Sequence, residues 1–550
     1  MSGRYRNNLR GLGAQIKDSG NVAAAGCQPH PNVLHRIDTC RHRLGIEDAL
    51  NTRSLVFILS CVVFLLWAKI FWDYSIDDAF ITFRYAENLA NGHGLVFNPG
   101  GEAVEGYSNF LWLLVLALLY KVGFSTYLTA KCLGLLTAGA TGTALFWYFR
   151  DDKHSLRWLA GPLFLVCLPL VFWALSGLEL GLHALIVTLT VLAAWRQSRW
   201  TYALIPLLVL SRPEGAPIAV VLLASMFVSD ILNKRAKISF YLIALGVTVV
   251  AFGGLTLFRI EVFGYPFPNT YYAKMQQKLY GFDLLLEFLL RFLPLTLAAL
   301  WGLVILARTR FSDRVLTTCL GLFVAQAVIS ASVDPVMNWL YRYLIPVLPF
   351  LFIAGLTAVE TFKRSRMIGY GLAVLIVASS VSVYPKAMAR TRWNRTIVGI
   401  QDKVIAWAKT IPYGATISMT DMGRIPYYTG RNFHDLWGLV DKDIAHEGYN
   451  PLKEFLQLPD YFILVGYTHA GNLKLKFWRE QLLTVGSHFD RCYEAVQGFG
   501  PSQQDPDTPE YDYLVWKRRP EAQSVVDSYD PRYWKGLFPT PSRNSSDGHQ

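Results

Sequence analysis

Eleven long apolar runs divide this chain, at about 54–72, 127–149, 158–175, 178–195, 200–212, 216–232, 238–259, 283–307, 315–332, 340–360 and 367–384. The hydrocarbon core of a bilayer is roughly 30 Å thick, which about 20 apolar residues cross as a helix. Runs of this number and length predict a polytopic α-helical membrane protein. A further run, 110–120, is too short to cross and reads as a juxtamembrane helix on the outer surface. Composition agrees. Of the 550 residues 53% are hydrophobic and only 17% charged, and mean hydropathy is +0.28. Soluble domains are about a quarter charged, and disordered scaffolds more so, which excludes both classes. The seven cysteines show no CxxC or CxxH spacing, so neither a zinc module nor a disulfide framework is indicated.

A net charge of +12 suggests nucleic acid until its placement is considered. With the N-terminus inside, the loops 150–157, 196–199, 233–237, 308–314 and 363–366 hold 14 Lys and Arg in 28 residues. The opposite loops hold 7 in 94. Excess cationic residues mark the cytoplasmic side, so the charge is topological. Residues 1–53 then form a cytoplasmic tail without a cleavable signal, and 54–384 form the membrane domain. An odd number of spans places 385–550 outside. There ATISMT (415–420) and YFILV (461–465) read as buried strands, while QDKVIAWAKT (401–410) and PLKEFLQL (451–458) have helical spacing. A small α/β domain is expected on the outer face, and the stretch after about Gln497, rich in Pro, Asp, Ser and Gln, is expected to be loosely ordered at its end. Lys386, Arg390, Arg392 and Arg395 follow the last span, where they either meet anionic headgroups or form an exposed basic face.

The unusual residues gather on the outer side. Loop 73–126 carries six acids between 73 and 108 (Asp73, Asp77, Asp78, Glu87, Glu102, Glu105) against one base, Arg84. Carboxylates as close to hydrocarbon as Asp77 and Asp78 are costly unless water, a metal or a cation compensates them. An adjacent pair can divide labour. One member acts as general base on a sugar hydroxyl, while the other binds a divalent cation (Mg, Mn or Ca) or a donor group. The bland alternative is that Asp77 caps the helix DAFITFRYAENLA. SGLELG (176–181) places Glu179 at a membrane entrance with His183 one turn deeper, and SRPEG (211–215) supplies Arg212 and Glu214. FGYPFPNTYYAKM (263–275) offers Asn269, Tyr271, Tyr272 and Lys274, and DPVMNWLYRY (334–343) offers Asp334, Arg342 and Tyr343. Glu179, Arg212 and Glu214 could equally make interhelical salt bridges. Glu287 and Arg291, spaced i,i+4, are read as a structural pair within a span.

The run DDAFITFRYAENLANGHGLVFNPGGEAVEGYSNFLW resembles the first outer loop of bacterial polyprenyl-phosphate-dependent glycosyltransferases of the GT-C fold. The resemblance is to the mycobacterial terminal β-1,2 arabinofuranosyltransferases and the Legionella LphB-like proteins. SGLE, RPEG, YPFPNTYYAK, RYLIPVLPFL and DMGRIPYYTGRNFHDLWGLVD (421–441) resemble that family in the same order, over about 70–440. The family implies transfer of a sugar from a polyprenyl-phosphate donor to a glycan, lipid or protein outside the bacterial cytoplasmic membrane. Its acidic pair falls on Asp77 and Asp78. Arg212, Lys274 and Arg342 are then candidates for the leaving phosphate. Arg84, Glu105, Tyr107, Glu179, Glu214, Asn269, Tyr271, Tyr272 and Tyr343 are candidates for substrate contact. A flippase or transporter for lipid-linked sugars is the competing class. It would be expected to place ionisable residues near the midplane of broken helices and to show internal repeats, and no repeat is visible here. A sensor with an outer binding domain would usually have fewer spans.

Overall fold

The computed structural model describes residues 52–528 except 153, 276–280, 333–337, 470–471, 485–486 and 502–510. The expectations for the tail up to residue 51, for Asp334 and for the stretch after 528 lie outside the described residues. Among these residues seven helices are long and apolar enough to cross a membrane, or nine if two bent pairs each count once. Two shorter apolar helices, Leu180–Trp195 and Trp200–Ser211, fall on the remaining expected runs, and the run from 110 forms the 12-residue helix Phe110–Lys121.

Lipid-facing helices bury only a stripe. In Thr52–Ile70 the buried residues are Ser60, Phe64 and Ala68, one turn apart, while Leu55, Leu59, Leu65 and Leu66 are exposed. Where helices cross closely, glycine permits it. A Cβ at Gly181 would collide with the Gly134 carbonyl oxygen of helix Thr126–Phe149, so the two backbones meet without side chains between them.

Both bends have a proline cause. Arg157–Val166 and Leu168–Ala174 meet at 56°, where Cys167 is extended and Pro169 cannot continue the preceding ladder; Ser380 Oγ accepts the freed Leu168 N–H at 2.8 Å. Gly281–Arg291 and Leu293–Arg308 meet at 94°, with Pro294 at the start of the second helix. The expected span 283–307 is therefore corrected: its first half turns away and only Leu293–Arg308 continues in the new direction. Glu287 and Arg291 pair at 3.3 Å on that turned helix, partly exposed, and Lys386 joins Glu287 at 2.5 Å.

The C-terminal part carries a six-stranded sheet: β1 (Ile417–Met419), β2 (Phe433–Asp435), β3 (Tyr461–His469), β4 (Asn472–Leu475), β5 (Tyr493–Phe499) and β6 (Asp512–Arg518). Its order is β2-β1-β3-β6-β5, with β4 pairing β3. β2, β1 and β3 run parallel, with Ile417 opposite both Phe433 and Tyr461; β6 is antiparallel to β3, with Ile463 opposite Val515. Side chains alternate between faces. Ile417, Met419, Ile463, Val465, Tyr513 and Val515 join the core that continues into the membrane helices. Phe462, Leu464 and Trp516 face a second core with Phe455, Phe489 and Tyr493. The sheet is thereby seated on the helical part by one whole face, which brings the C-terminal end of β1 to the start of the acidic helix Asp77–Ala90.

Candidate functional site

Asp77 opens the helix Asp77–Ala90, preceded by extended Ile76, and no side chain caps that helix. The expectation that Asp77 might merely cap its own helix is thus removed. Its Oδ1 accepts instead from the Arg424 N–H at 2.9 Å and the Gln401 side-chain amide at 3.0 Å, both across the junction with the C-terminal part. Gly423 is required there, because a Cβ would run into the Asp77 carboxylate. Asp421, two residues beyond β1, accepts at Oδ2 from the Tyr511 hydroxyl at 2.5 Å and the Tyr513 hydroxyl at 2.7 Å. Gln401 also donates to Tyr513 at 3.1 Å, so both carboxylates belong to one network. Burial pushes Asp77 up to about 7, and the nearby charge of Asp421 pushes the same way against the Arg424 N–H. Burial likewise raises Asp421, opposed by its two tyrosines. Asp78 is half-buried and has no hydrogen-bond or ion-pair partner among the described residues.

A second cluster lies beside the first. Glu179 follows the Ser176–Gly177 turn, and Glu214 sits at the start of Gly215–Leu232. Arg212 is extended between two helices, and its guanidinium is clamped by Glu179 and by Glu214, the latter at 2.5 Å. Arg342 reaches Glu179 at 3.6 Å, and Asn109 donates to the other Glu179 oxygen at 2.6 Å. Thr82 of the acidic helix donates to Asn109 at 3.2 Å, which ties the two clusters together. Tyr343 lies under both guanidinium groups, 5.7 Å from that of Arg212 and 5.6 Å from that of Arg342.

Several expected substrate contacts are spent inside the protein. Arg84 donates to the carbonyls of Phe97, Pro426 and Arg431 and to the Asn98 side chain, so it fastens the acidic helix to the C-terminal part. Glu105 is 2% exposed and paired with Arg259 at 2.9 Å. Asn269 donates to the carbonyls of Gly438, Leu439 and Asp441. These three are corrected to structural roles, because their polar atoms are already satisfied. Tyr107 is buried with an unpartnered hydroxyl. Tyr271 is exposed beside Phe267, Tyr272 packs on His446 at 4.2 Å, and Lys274 is exposed at the end of its short helix. Glu87, one of the six acids of the loop, accepts from Thr126 at 2.7 Å and Tyr427 at 2.5 Å. Glu87→Gln is expected to lower stability by about 1 kcal/mol, read as a fall in thermal midpoint.

The sequence reading missed Gln401, Asp421, Tyr511 and Tyr513. Asp421 stood in the quoted run DMGRIPYY, where an acid before a glycine was the available signal. The other three carry none, since only the fold brings them to Asp77. No group of three or more His, Cys, Asp or Glu side chains among the described residues is arranged to hold a metal ion. Asp77 Oδ1 is also committed to two N–H donors, so these residues form no ready cation cage. Cavities of about 690 Å³ beside Tyr461 and Arg518 and about 480 Å³ beside Asp230 and Arg314 lie elsewhere, and neither is lined by an expected site residue.

Membrane helices carrying a small C-terminal sheet domain define a protein of the GT-C fold class. The crystal structure of ArnT from Cupriavidus metallidurans bound to undecaprenyl phosphate is similar at a TM-score of 0.51 and 12% identity, over 85% of this chain and 98% of that one. The archaeal oligosaccharyltransferase AglB from Archaeoglobus fulgidus, in complex with an inhibitory peptide and a dolichol-phosphate, gives 0.47 at 12% identity over 77% and 74%. Residues 388–516 match a family described as a domain of unknown function, DUF8728. No curated protein matches the chain.

Proposed function

We propose that this chain is a membrane glycosyltransferase that moves a sugar from a polyprenyl-phosphate donor to a hydroxyl of a glycan, lipid or protein. The observation that carries the reading is Asp77, a half-buried carboxylate that accepts from the Arg424 N–H and Gln401 and has no ion-pair partner among the described residues, its carboxyl pushed up to about 7 by desolvation and by Asp421. A group so tuned takes a proton at physiological pH. Asp77 removes the proton of the acceptor hydroxyl, the acceptor oxygen forms a bond to the anomeric carbon, and the bond from that carbon to the phosphate oxygen breaks. The polyprenyl phosphate leaves with the electron pair. The fold shared with a protein bound to undecaprenyl phosphate supports the choice of donor. Arabinofuranose is the sugar that the loop resemblance favours. The cationic inner loops favour an outward-facing site, in a bacterial cytoplasmic membrane.

Of the three cations considered for the leaving phosphate, Arg212 is neutralised by two carboxylates, whereas Lys274 and Arg342 are not. The test is turnover by detergent-purified protein given a polyprenyl-phosphate sugar and a hydroxyl acceptor. Transfer is expected without a sealed membrane. Absence of transfer in detergent, together with sugar-lipid translocation in proteoliposomes, would favour a flippase instead.

A further inference from the structure

Two guanidinium groups flank the Trp173–Trp339 pair with too little negative charge around them. Arg390, from the helix Tyr384–Ala408, is sandwiched between the indoles of Trp339 and Trp393, 3.7 and 3.8 Å from their ring centres. It has no carboxylate within salt-bridge distance among the described residues, and its Nε is buried without a partner. Arg342 lies 5.2 Å above the ring of Trp173, and its Nε is likewise buried and unpartnered. Its one acid is Glu179 at 3.6 Å, which already serves Arg212 and Asn109. Trp173 and Trp339 stack at 6.0 Å and are joined by an indole N–H donated to the Trp339 carbonyl at 2.9 Å, so the two arginines flank one aromatic pair.

A third donor faces the same place. The Tyr74 hydroxyl, 1% exposed, accepts from the Trp339 indole at 3.3 Å and from Arg390, which leaves its own O–H to give. The backbone is also held unusually. Leu340 and Tyr341, immediately before Arg342, both have left-handed φ, 52° and 61°. Such strain persists where the surroundings need a side chain in one place. Stacking an arginine on an indole holds its plane while leaving N–H groups at the edge, a geometry suited to phosphate oxygens. Buried guanidinium N–H groups without a partner are costly, and an anion would relieve that cost.

We propose that Arg342, Arg390 and Tyr74 hold the phosphate of a polyprenyl-phosphate lipid, at the seam between the membrane helices and the C-terminal part. The proposal rests on the glycosyl-transfer reading and deepens it. It takes the phosphate away from Arg212 and gives it to a cation on the helix that leads into the DUF8728 region.

The full chain in detergent is titrated with decaprenyl monophosphate, with decaprenol and with inorganic phosphate, following equilibrium binding and thermal midpoint. The wild type is expected to bind decaprenyl monophosphate and to be stabilised by it, with decaprenol much weaker. Arg390→Gln and Arg342→Gln should each weaken that binding about 10- to 100-fold. Arg390→Lys, which keeps the charge but not the fork, should fall between. Arg392→Gln, exposed on the same helix, should bind as the wild type. An Arg390→Gln protein with wild-type midpoint and wild-type affinity overturns the assignment. Inorganic phosphate binding as tightly as the lipid overturns the lipid part. If the wild type transfers sugar in detergent while Arg390→Gln binds normally, only this inference fails; if the wild type transfers none, the transfer reading fails whatever the binding shows.

Discussion

Asp77→Asn is expected to reduce turnover by about 10²–10⁴-fold with the fold intact. Asparagine keeps the oxygen that accepts from the Arg424 N–H and from Gln401, so the seam should hold. It removes a half-buried charge that faces Asp421, and the thermal midpoint should stay level or rise. What is lost is the proton acceptor. The pH dependence has a definite sign. Asp77 works as a base only when deprotonated, and its carboxyl is pushed up to about 7, so kcat/KM of the wild type should climb as pH rises through about 7. Asp421 faces it from the β1 end, Asp78 from its own helix, and Tyr511 and Tyr513 from β6 and the residue before it. Retention of more than about a tenth of wild-type turnover by Asp77→Asn would reduce the residue to a cap for the helix Arg424–Thr429. Glu102→Gln is the matched control, since Glu102 is 62% exposed and among the described residues pairs only with Lys442.

Arg212→Gln should damage folding more than chemistry. Arg212 is 6% exposed and answers two carboxylates that are themselves buried. Without it Glu179 keeps only Arg342, at 3.6 Å, and Glu214 loses its sole ion-pair partner among the described residues. Breaking a buried pair from one side costs about 3–5 kcal/mol, because the remaining charge is stranded. The expected result is poor recovery of folded protein and a strongly lowered thermal midpoint. Arg395→Gln provides the contrast. Its pair with Asp73 spans 3.0 Å, but both side chains are 66% exposed. Water already solvates those charges, and the loss should stay below about 1 kcal/mol. Equal midpoints for the two variants would contradict the buried-cluster account.

The same comparison separates what the sequence revealed from what it hid. Apolar runs are local, and so is the rule that backbone in lipid must satisfy itself. Hence the membrane helices, the strands 415–420 and 461–465 and the acidic loop were all legible from the residues alone. Asp77 and Asp78 stood out because a carboxylate beside hydrocarbon is costly wherever the chain goes next. Arg84, Glu105 and Asn269 looked equally polar, yet the fold spends them on internal carbonyls and on Arg259. Their fate depends on partners up to 347 positions away, as between Arg84 and Arg431. Arg390 shows the reverse. In sequence it was one of four cations after the last span, but Trp393 on its own helix and Trp339 and Tyr74 from distant segments make it a half-buried charge with no ion-pair partner among the described residues. The sequence by itself determined which segments enter the membrane and where acids gather. Only the tertiary structure decided which charges are neutralised, because pairing depends on distance in space and desolvation on burial, and neither is a property of neighbours along the chain.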